Sequence, residues 1–554
     1  MCEGLMAMEA PAVVFALTQM EVPSRTSEIF CFTVFGLCPY PPVNPFPFNF
    51  TEPNPQKQHH EHYVGEPLQV VHISDIHVDH NYTVGASFNC TEGLCCHAYA
   101  PSEAPGVTPY PAGPFGNNNC DTPVSLEDNM YNAIKEIVPD RAFTVFSRSH
   151  AQILKPMLTS LAAGDIPSTE WTATPEVVVF DINDAYNRMN SLGVLYGAVG
   201  NHEASPVNEF PPPAVTKENN ATEQFVYDAI AAGLAPSLGA ATAKKLDANS
   251  GSYSILHPGS KLKIISINTM FWMKLNFWLY EKTMELDPAG VLEFLVQELD
   301  ESEKCGQRVW IIGHIAPGLT DFLYDYSASF DEIVQRYHET IAGMFWGHTH
   351  RDQFEISYKS YTNQTADGAV AVSYITSSLT PTSGYPSFRV YSIDPVTYNV
   401  LDYTVYYANM SVPSFQTTGP TWQKLYSFKE AYGSLLSPPY IEPSAELTPA
   451  FFHNVTVLFQ NNDTVFQEYI FRKQRGFDFV PCTGTCKTDE LCRLRSAQSQ
   501  FACYGLSVLS ITKRSIQDDI RGIGDCPVSR AIPYLRAFSK DQAALKAAAE
   551  KYLK

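Results

Sequence analysis

Residues 68–77, "LQVVHISDIH", carry an apolar run directly into two polar residues, Asp75 and His77. An apolar run bounded by polar residues predicts a buried β-strand. The same arrangement recurs along the chain, where further apolar segments lead into Asp165 in "GD" (164–165), Asn201 and His202 in "GNH" (200–202), His314 in "IIGH" (311–314), and His348 and His350 in "FWGHTH" (345–350). Between residue 67 and about residue 395, strand-like runs alternate with helical ones such as "AGVLEFLVQELDESEKCG" (289–306). The sequence therefore predicts an α/β domain.

These polar residues are of the types that bind divalent metal ions. Loops at the carboxyl ends of strands in one sheet converge on one crevice, so we expect the side chains to meet there. Histidine, aspartate and asparagine are ligands that two divalent ions take, with one carboxylate bridging them. Each residue alone is explained as easily by a loop hydrogen bond or a helix cap, but the ordered series favours a dimetal site. Ordinary structural roles are expected for the remaining histidines considered, His72, His80, His97 and His338.

Composition excludes several other classes of protein. The 554 residues are too many for one core, so two or more domains are expected. A formal net charge of −21 argues against a nucleic-acid partner, because phosphate binding needs a basic face. No uninterrupted apolar run reaches the roughly 18 residues of a membrane span. We therefore expect no nucleic acid and no transmembrane segment.

Cysteine usage points to an oxidising compartment. Most of the 13 cysteines lie in two clusters, which favours disulfides over a redox enzyme or a zinc finger. Eight N-x-[ST] sequons agree with a secretory route. Residues 1–20 nevertheless lack the basic start and the cleavage site of a signal peptide, so we expect the true N-terminus to precede this chain. A secreted protein or one of the lysosomal or vacuolar lumen is predicted.

The chain divides into four predicted parts. Short amphipathic helices are expected in residues 1–38, and a proline-rich linker in 39–66. The α/β catalytic domain takes residues 67–395, and a helical C-terminal domain takes 396–554, with helices near 421–433 and 536–553.

The residues that flank the metal motifs narrow the choice of protein family. The segments "SDIHVDHNY", "GNHEASPVNEFPPP", "IIGHIAPG" and "FWGHTHRDQFE" resemble the acid sphingomyelinase family of the calcineurin-like metallophosphoesterases, and the resemblance covers residues 67 to about 505. It implies a two-sheet αββα sandwich with a helical C-terminal domain. By the same resemblance, residues 1–38 are part of a saposin-like domain.

The resemblance also assigns roles to individual residues. It implies two zinc ions per chain, one held by Asp75, His77 and His350, the other by Asn201, His314 and His348, with Asp165 bridging. His202 would protonate the leaving alkoxide, and Asn208 and Thr169 would lie in the substrate site. The implied disulfides are Cys90–Cys95, Cys96–Cys120, Cys482–Cys486 and Cys492–Cys503.

Some positions depart from the family pattern. Thr169 stands where the family has a second histidine that helps to hold the phosphate. The family also has a glutamate near the position of Leu275 and a tyrosine near that of Thr382. A third family disulfide is absent around Trp272 and Thr320, which leaves Cys305 and Cys526 without an assigned partner. We expect Cys2, Cys31 and Cys38 to be free or paired between molecules, because the first half of a saposin-like domain is absent.

The approach to Asp165 also departs from the family. There a strand runs directly into the "GD" motif, whereas here the strand-like "RAFTVF" (141–146) is separated from it by residues 147–163. That segment is either a real insertion or an artefact of the gene model.

Three functions are consistent with these features. The first is hydrolysis of sphingomyelin to ceramide and phosphocholine by a monomer that acts on sphingolipid at a membrane surface. The second is a related dimetal phosphodiesterase for nucleotides or other soluble phosphodiesters. The third is a catalytically impaired lipid-binding homologue, which the departure at Thr169 would explain.

Overall fold

The computed structural model describes residues 2–53, 65–90, 94–139, 159–162, 164–169, 173–477 and 479–503. Its strands are β1 (Leu68–Ile73), β2 (Thr159–Ala162), β3 (Val194–Gly197), β4 (Tyr253–Leu256), β5 (Leu262–Ser266), β6 (Arg308–Ile312), β7 (Ile341–Trp346), β8 (Gln353–Tyr358), β9 (Ala369–Ile375), β10 (Ser387–Ile393), β11 (Val400–Ala408) and β12 (Trp422–Ser427). Its α-helices are α1 (Cys2–Gln19), α2 (Arg25–Phe30), α3 (Val124–Ile137), α4 (Pro175–Met189), α5 (Pro213–Asn219), α6 (Gln224–Ala248), α7 (Val291–Cys305), α8 (Tyr324–Tyr337), α9 (Phe428–Ala431), α10 (Pro449–Asn461), α11 (Asp463–Lys473) and α12 (Thr485–Leu494).

Two six-stranded sheets form the centre of the described part of the chain. The first has the order β12-β11-β10-β1-β2-β3, and the second has the order β4-β5-β6-β7-β9-β8. The sheets face each other, and the ring centroid of Phe345 on β7 lies 5.1 Å from that of Tyr391 on β10. Helix α6 packs on β3 and β4, and α7 packs on β5 and β6. The predicted two-sheet α/β fold is confirmed.

Both sheets position the residues of the metal motifs. Strands β1, β2 and β3 are parallel neighbours in the first sheet, and their carboxyl ends lead to Asp75, Asp165 and Asn201. Strands β6 and β7 are parallel neighbours in the second sheet and lead to His314 and His348. The expectation that these strands share one sheet is therefore wrong. The crevice lies where the parallel parts of two sheets end together.

The strand before Asp165 differs from the sequence-based assignment. Strand β2 lies within the segment assigned to the insertion (147–163), and it pairs in parallel with β1 and β3. Its last residue, Ala162, is only three positions before Asp165, so a strand does run almost directly into the "GD" motif. Residues 141–146 lie outside the described residues.

Beyond residue 395 the chain still contributes strands to the first sheet. Strands β11 and β12 extend that sheet from β10. The prediction of a helix near 421–433 is therefore largely wrong, because β12 takes 422–427 and only the short α9 is helical. Helices α10, α11 and α12 follow, and the rings of Phe452 on α10 and Phe354 on β8 lie 4.8 Å apart. The predicted helix at 536–553 lies outside the described residues.

The N-terminal helices and the proline-rich segment lie against the α/β domain. Helix α1 is a single helix of 18 residues rather than several short ones. Its Phe15 ring lies 5.0 Å from that of Trp278. Asp325 on α8 pairs with the guanidinium of Arg25 at 2.6 Å and accepts the backbone N–H of Asn44 at 2.8 Å. Residues 2–38 therefore pack on the α/β part of the chain.

The described residues form five disulfides: Cys31–Cys38, Cys90–Cys95, Cys96–Cys120, Cys482–Cys486 and Cys492–Cys503. The expectation that Cys31 and Cys38 lack partners within the chain is wrong, because the turn at Gly36 brings them together. Cys305 is exposed and has no disulfide partner among the described residues. Disulfides of this kind are typical of chains that fold in an oxidising compartment. Within the described ranges, no helix has both the length and the apolar character needed to cross a bilayer.

Candidate metal centre

The first group of ligand-type side chains consists of Asp75, His77, Asp165 and His350. All four are buried, and their potential ligand atoms lie within 4.8 Å of one another. Nε2 of His77 lies 3.1 Å from Nε2 of His350, which in turn lies 3.3 Å from Oδ1 of Asp75. Two ring nitrogens that face each other so closely need a proton or a cation between them.

The second group consists of Asp165, His314 and His348. Oδ2 of Asp165 lies 3.1 Å from Nε2 of His314 and 3.7 Å from Nε2 of His77 in the first group. The side-chain oxygen of Asn201 lies 3.0 Å from Nε2 of His314 and 3.0 Å from Nδ1 of His348. Asp165 thus belongs to both groups, as a bridging carboxylate would.

These spacings suit metal coordination. Nitrogen and oxygen donors bound tetrahedrally at about 2.0 Å lie about 3.3 Å apart, and the closest contacts within the two groups and to Asn201 are 3.0 to 3.7 Å. The described residues therefore form a buried His/Asp cluster that can bind two metal ions.

Contacts from outside orient two of the ligands. Nδ1 of His77 lies 3.0 Å from the carbonyl oxygen of Pro167, so a proton on Nδ1 leaves the Nε2 lone pair facing the cluster. Asn201 donates its side-chain N–H to Oδ1 of Asn208 at 3.0 Å, which turns the Asn201 oxygen toward the histidines. The structure thus places Asn208, a predicted substrate contact, behind a metal ligand.

The loops that carry Asp165 and Asn201 touch each other. A Cβ on Gly164 would lie 2.6 Å from the backbone nitrogen of Gly200, so both loops need glycine at these points. The Glu203 carboxylate accepts the backbone N–H groups of Gly200 and Ile166, each at 2.7 Å, and that of Asp165 at 3.2 Å. Burial and then the Asp165 charge raise the pKa of Glu203 to about 7. Sequence reasoning missed this residue, although it completes the "GNHE" segment.

Several ligands lie on strained backbone. Five of the seven predicted metal ligands have φ in the left-handed region: Asp75 (50°), His77 (46°), Asp165 (57°), His348 (71°) and His350 (55°). Each such conformation costs a non-glycine residue about 1–3 kcal/mol and is typical of functional sites.

Electrostatics favour the ionisation states that metal ligands need. Burial by itself raises the pKa of Asp75, but the charge of His350 and its hydrogen bond outweigh burial and lower it to about 2. The pKa of Asp165 is likewise lowered, against burial, mainly by His314 and His202. Burial and then the charge of His202 lower the pKa of His77 to about 3. Ionised carboxylates beside neutral imidazoles are the forms that bind metal.

His202 lies beside the cluster without belonging to either group. Its ring packs edge-on against His77 at 4.8 Å, and its backbone N–H donates to Oδ1 of Asp165 at 2.9 Å. Burial lowers the pKa of His202 to about 4, although the Asp165 charge opposes this. Nδ1 of His202 is buried and has no hydrogen-bond partner among the described residues. A buried polar atom of this kind is one that a bound ligand would satisfy.

Two of the positions that depart from the family pattern, Thr169 and Thr382, lie near Asp121. The backbone N–H and the hydroxyl of Thr169 donate to Oδ2 of Asp121 at 2.5 and 2.8 Å. The hydroxyl of Thr380 lies 3.4 Å from Oδ1 of Asp121 and 3.4 Å from the hydroxyl of Thr382. Burial, above all, raises the pKa of Asp121 to about 7. Leu275 is fully buried and cannot replace a polar contact. Sequence reasoning did not single out Asp121.

Comparison with known proteins shows which enzymes the chain is similar to. No protein-family model matches the chain. Sphingomyelin phosphodiesterase of Homo sapiens is 31% identical over 446 residues, which cover 78% of this chain and 64% of that protein. Sphingomyelin phosphodiesterase B of Dictyostelium discoideum is 28% identical over 515 residues, 90% of this chain and 74% of that one.

The chain thus spans about two thirds of the length of these relatives, and 64% of the human one. A crystal structure of a dimetal phosphatase from Danio rerio covers 62% of this chain and 96% of its own, but a TM-score of 0.34 and 9% identity are too low to support a conclusion. The sequence matches, together with the ligand series at the strand ends, make the chain similar to sphingomyelin phosphodiesterases over most of its length.

Proposed function

We propose that the chain is a zinc-dependent phosphodiesterase that hydrolyses sphingomyelin to ceramide and phosphocholine. The observation that carries the proposal is the pair of ligand groups that share Asp165 beside the buried, unpartnered nitrogen of His202. Paired metal sites favour in-line displacement at phosphorus. The names of the matched relatives support sphingomyelin as the substrate.

Zinc is the metal that the donors favour. Four imidazoles and an amide oxygen join two carboxylates in the cluster, whereas magnesium and calcium prefer oxygen ligands alone. One ion would be held by Asp75, His77, His350 and Asp165, and the other by Asp165, Asn201, His314 and His348. Ions in such paired sites activate water and offset the charge of the phosphoryl oxygens.

His202 supplies the remaining group that cleavage needs. Expulsion of the ceramide alkoxide requires a proton, and a positioned acid contributes about 10²–10⁴-fold to such a step. Burial disfavours the charged imidazole, but the negative charge of a bound phosphodiester beside the ring would favour it. The His202 imidazole therefore gains its proton in the complex and gives it to the leaving oxygen.

The setting of the reaction follows from the substrate. A sphingolipid is presented at a membrane surface, and we propose that the chain acts there as a monomer, in a lysosomal, vacuolar or extracellular space. The disulfides support such a compartment.

A second candidate keeps the metals and changes the substrate. In the family, the position of Thr169 contacts the phosphate and a position near Leu275 contacts the choline side. Here the Thr169 hydroxyl is bonded to Asp121 and Leu275 is a buried apolar residue, so neither provides the family's side chain. This favours a nucleotide or another soluble phosphodiester as the alternative substrate. Hydrolysis of sphingomyelin in mixed micelles, compared with hydrolysis of a nucleotide diester, decides between the two. A chelator must abolish whichever activity is found.

The proposed acid is tested with His202→Asn. We expect two zinc ions per chain to remain and turnover of sphingomyelin to fall by about 10²–10⁴-fold. Turnover of a nitrophenyl phosphodiester should fall much less, because nitrophenolate leaves without a proton. His338→Asn is the matched control, since this histidine lies at the end of α8 and bonds the backbone carbonyl of Gln335.

Other outcomes would contradict this role. Equal losses on both substrates with zinc retained would mean that His202 positions the phosphate. Loss of zinc would make it a ligand, and unchanged activity on both substrates would remove it from the mechanism.

A further inference from the structure

The outer side of His348 faces a carboxylate that the proposed mechanism does not use. Nδ1 of His348 points into the second ligand group, 3.2 Å from Nε2 of His314. Nε2, on the far edge of the ring, lies 3.2 Å from Oδ2 of Asp321. Asp321 is itself buried, in the loop between β6 and α8.

A single cation accompanies this carboxylate among the described residues that contact it. Nζ of Lys274 lies 3.0 Å from Oδ1 of Asp321 as an ion pair, although its angles are not those of a hydrogen bond. The same ammonium donates to the backbone carbonyl of Thr320 at 2.9 Å. The backbone N–H of Lys274 donates to the backbone carbonyl of Asp321 at 2.8 Å. The lysine thus offsets a buried charge and holds the loop that carries it.

This arrangement has a chemical consequence for His348. A carboxylate that accepts the proton of one ring nitrogen fixes the tautomer and makes the other nitrogen a stronger donor. In the first ligand group, the outer nitrogen of His77 meets only the neutral carbonyl of Pro167. The carboxylate at His348 therefore acts on one of the two groups.

We propose that Asp321, held by Lys274, is a positioning residue that orients His348 and sets the affinity of the second ligand group for its ion. The inference rests on the metal dependence of the proposed function, but not on its substrate. It concerns a residue that does not contact the ion.

The test is a zinc titration of the metal-free chain against a competing chromogenic chelator. The unmodified chain should bind two ions. Asp321→Asn should bind one of them 10–100-fold more weakly and the other with unchanged affinity. Asp331→Asn is the matched control, because Asp331 is also a buried aspartate, on α8, and accepts from Tyr361 away from the cluster.

A second variant covers the case in which Asp321→Asn does not fold. Asp321→Leu combined with Lys274→Met removes both charges together, and such a replacement of a buried pair is often neutral for stability. The same 10–100-fold loss of affinity for one ion is expected, since His348 loses its negatively charged acceptor in both variants.

Three results would overturn the proposal. Wild-type affinity for both ions in either folded variant would show that the contact is only structural. An equal loss for both ions would show a general disturbance of the cluster. An unmodified chain that binds two ions without hydrolysing sphingomyelin would contradict the proposed substrate alone, whereas one that binds fewer than two ions would contradict both inferences.

Discussion

Two buried carboxyl groups meet where helix α1 packs on the loop that follows His202. Glu9 of α1 is 7% exposed and Glu209 is 1% exposed, and the two carboxyl groups interact with each other. Glu209 also accepts the backbone N–H of Phe277 at 3.1 Å. Burial raises the pKa of Glu9 to about 7. The pKa of Glu209 is raised well above its usual range, first by burial, then by the charge of Glu9, and further by that of Glu223. At least one proton is therefore shared in the packed state.

The sign of the pH dependence follows from the direction of the shift. A carboxyl whose pKa is raised from 4.5 to about 7 in the folded chain binds its proton more tightly there than in the unfolded chain. The contact is fully stabilising below pH 4.5, weakens as the pH rises toward 7, and is weakest above that. A pKa difference of about 2.5 between the folded and unfolded chain corresponds to about 3 kcal/mol in the free energy of unfolding.

Glu9→Gln should remove most of this dependence, because an amide donates to Glu209 without ionising. We expect little change in the free energy of unfolding at pH 4, and a gain on the order of 3 kcal/mol at pH 8. Urea denaturation at pH 4 and at pH 8 measures the free energy of unfolding. Glu21→Gln is the control on the same N-terminal segment, since Glu21 is exposed and pairs only at the surface with Lys282. An unchanged difference between pH 4 and pH 8 in Glu9→Gln would refute the reasoning.

Two further predictions concern the metal ligands. Asp165→Ala should lower the zinc content below one ion per chain, because the shared carboxylate serves both groups; two ions retained in metal analysis would exclude a bridge. Asn208→Ala should lower the affinity for one ion about tenfold in a chelator titration, because the Asn201 amide loses the acceptor that turns its oxygen inward. An unchanged affinity together with a raised KM would indicate that Asn208 contacts the substrate instead.

The local pattern of the sequence predicts much of this fold. Strands β1, β6 and β7 and helix α7 lie within a few residues of their predicted positions, because each is an apolar or amphipathic run that ends at a glycine or a polar residue. The metal motifs were visible for the same reason. Each ligand side chain stands directly after a strand, where no packing requirement explains a histidine.

What the sequence could not show is long-range pairing. Strand β1 pairs with β10, so that Leu68 lies opposite Ile393, and no local pattern encodes that partner. The segment "WQKLYS" (422–427) contains good helix formers, but pairing with β11 outweighs their propensity. Strand β2 has only four residues and no alternation, so nothing marked "TSLA" (159–162) as the strand before Asp165. The division of the ligands between two sheets depends on these pairings.

The residues that orient the ligands were equally hidden, and they explain how the strained site holds together. Left-handed backbone at the ligands costs about 1–3 kcal/mol each, so the loops keep these conformations only if other contacts hold them. Glu203 ties the Asp165 loop to the Asn201 loop, Asn208 turns the Asn201 amide, and Asp321 faces His348. All three act from outside the cluster. Because they bind backbone or the outer atoms of the candidate ligands, they hold the donors facing one another, and we expect the affinity for metal to depend on all three.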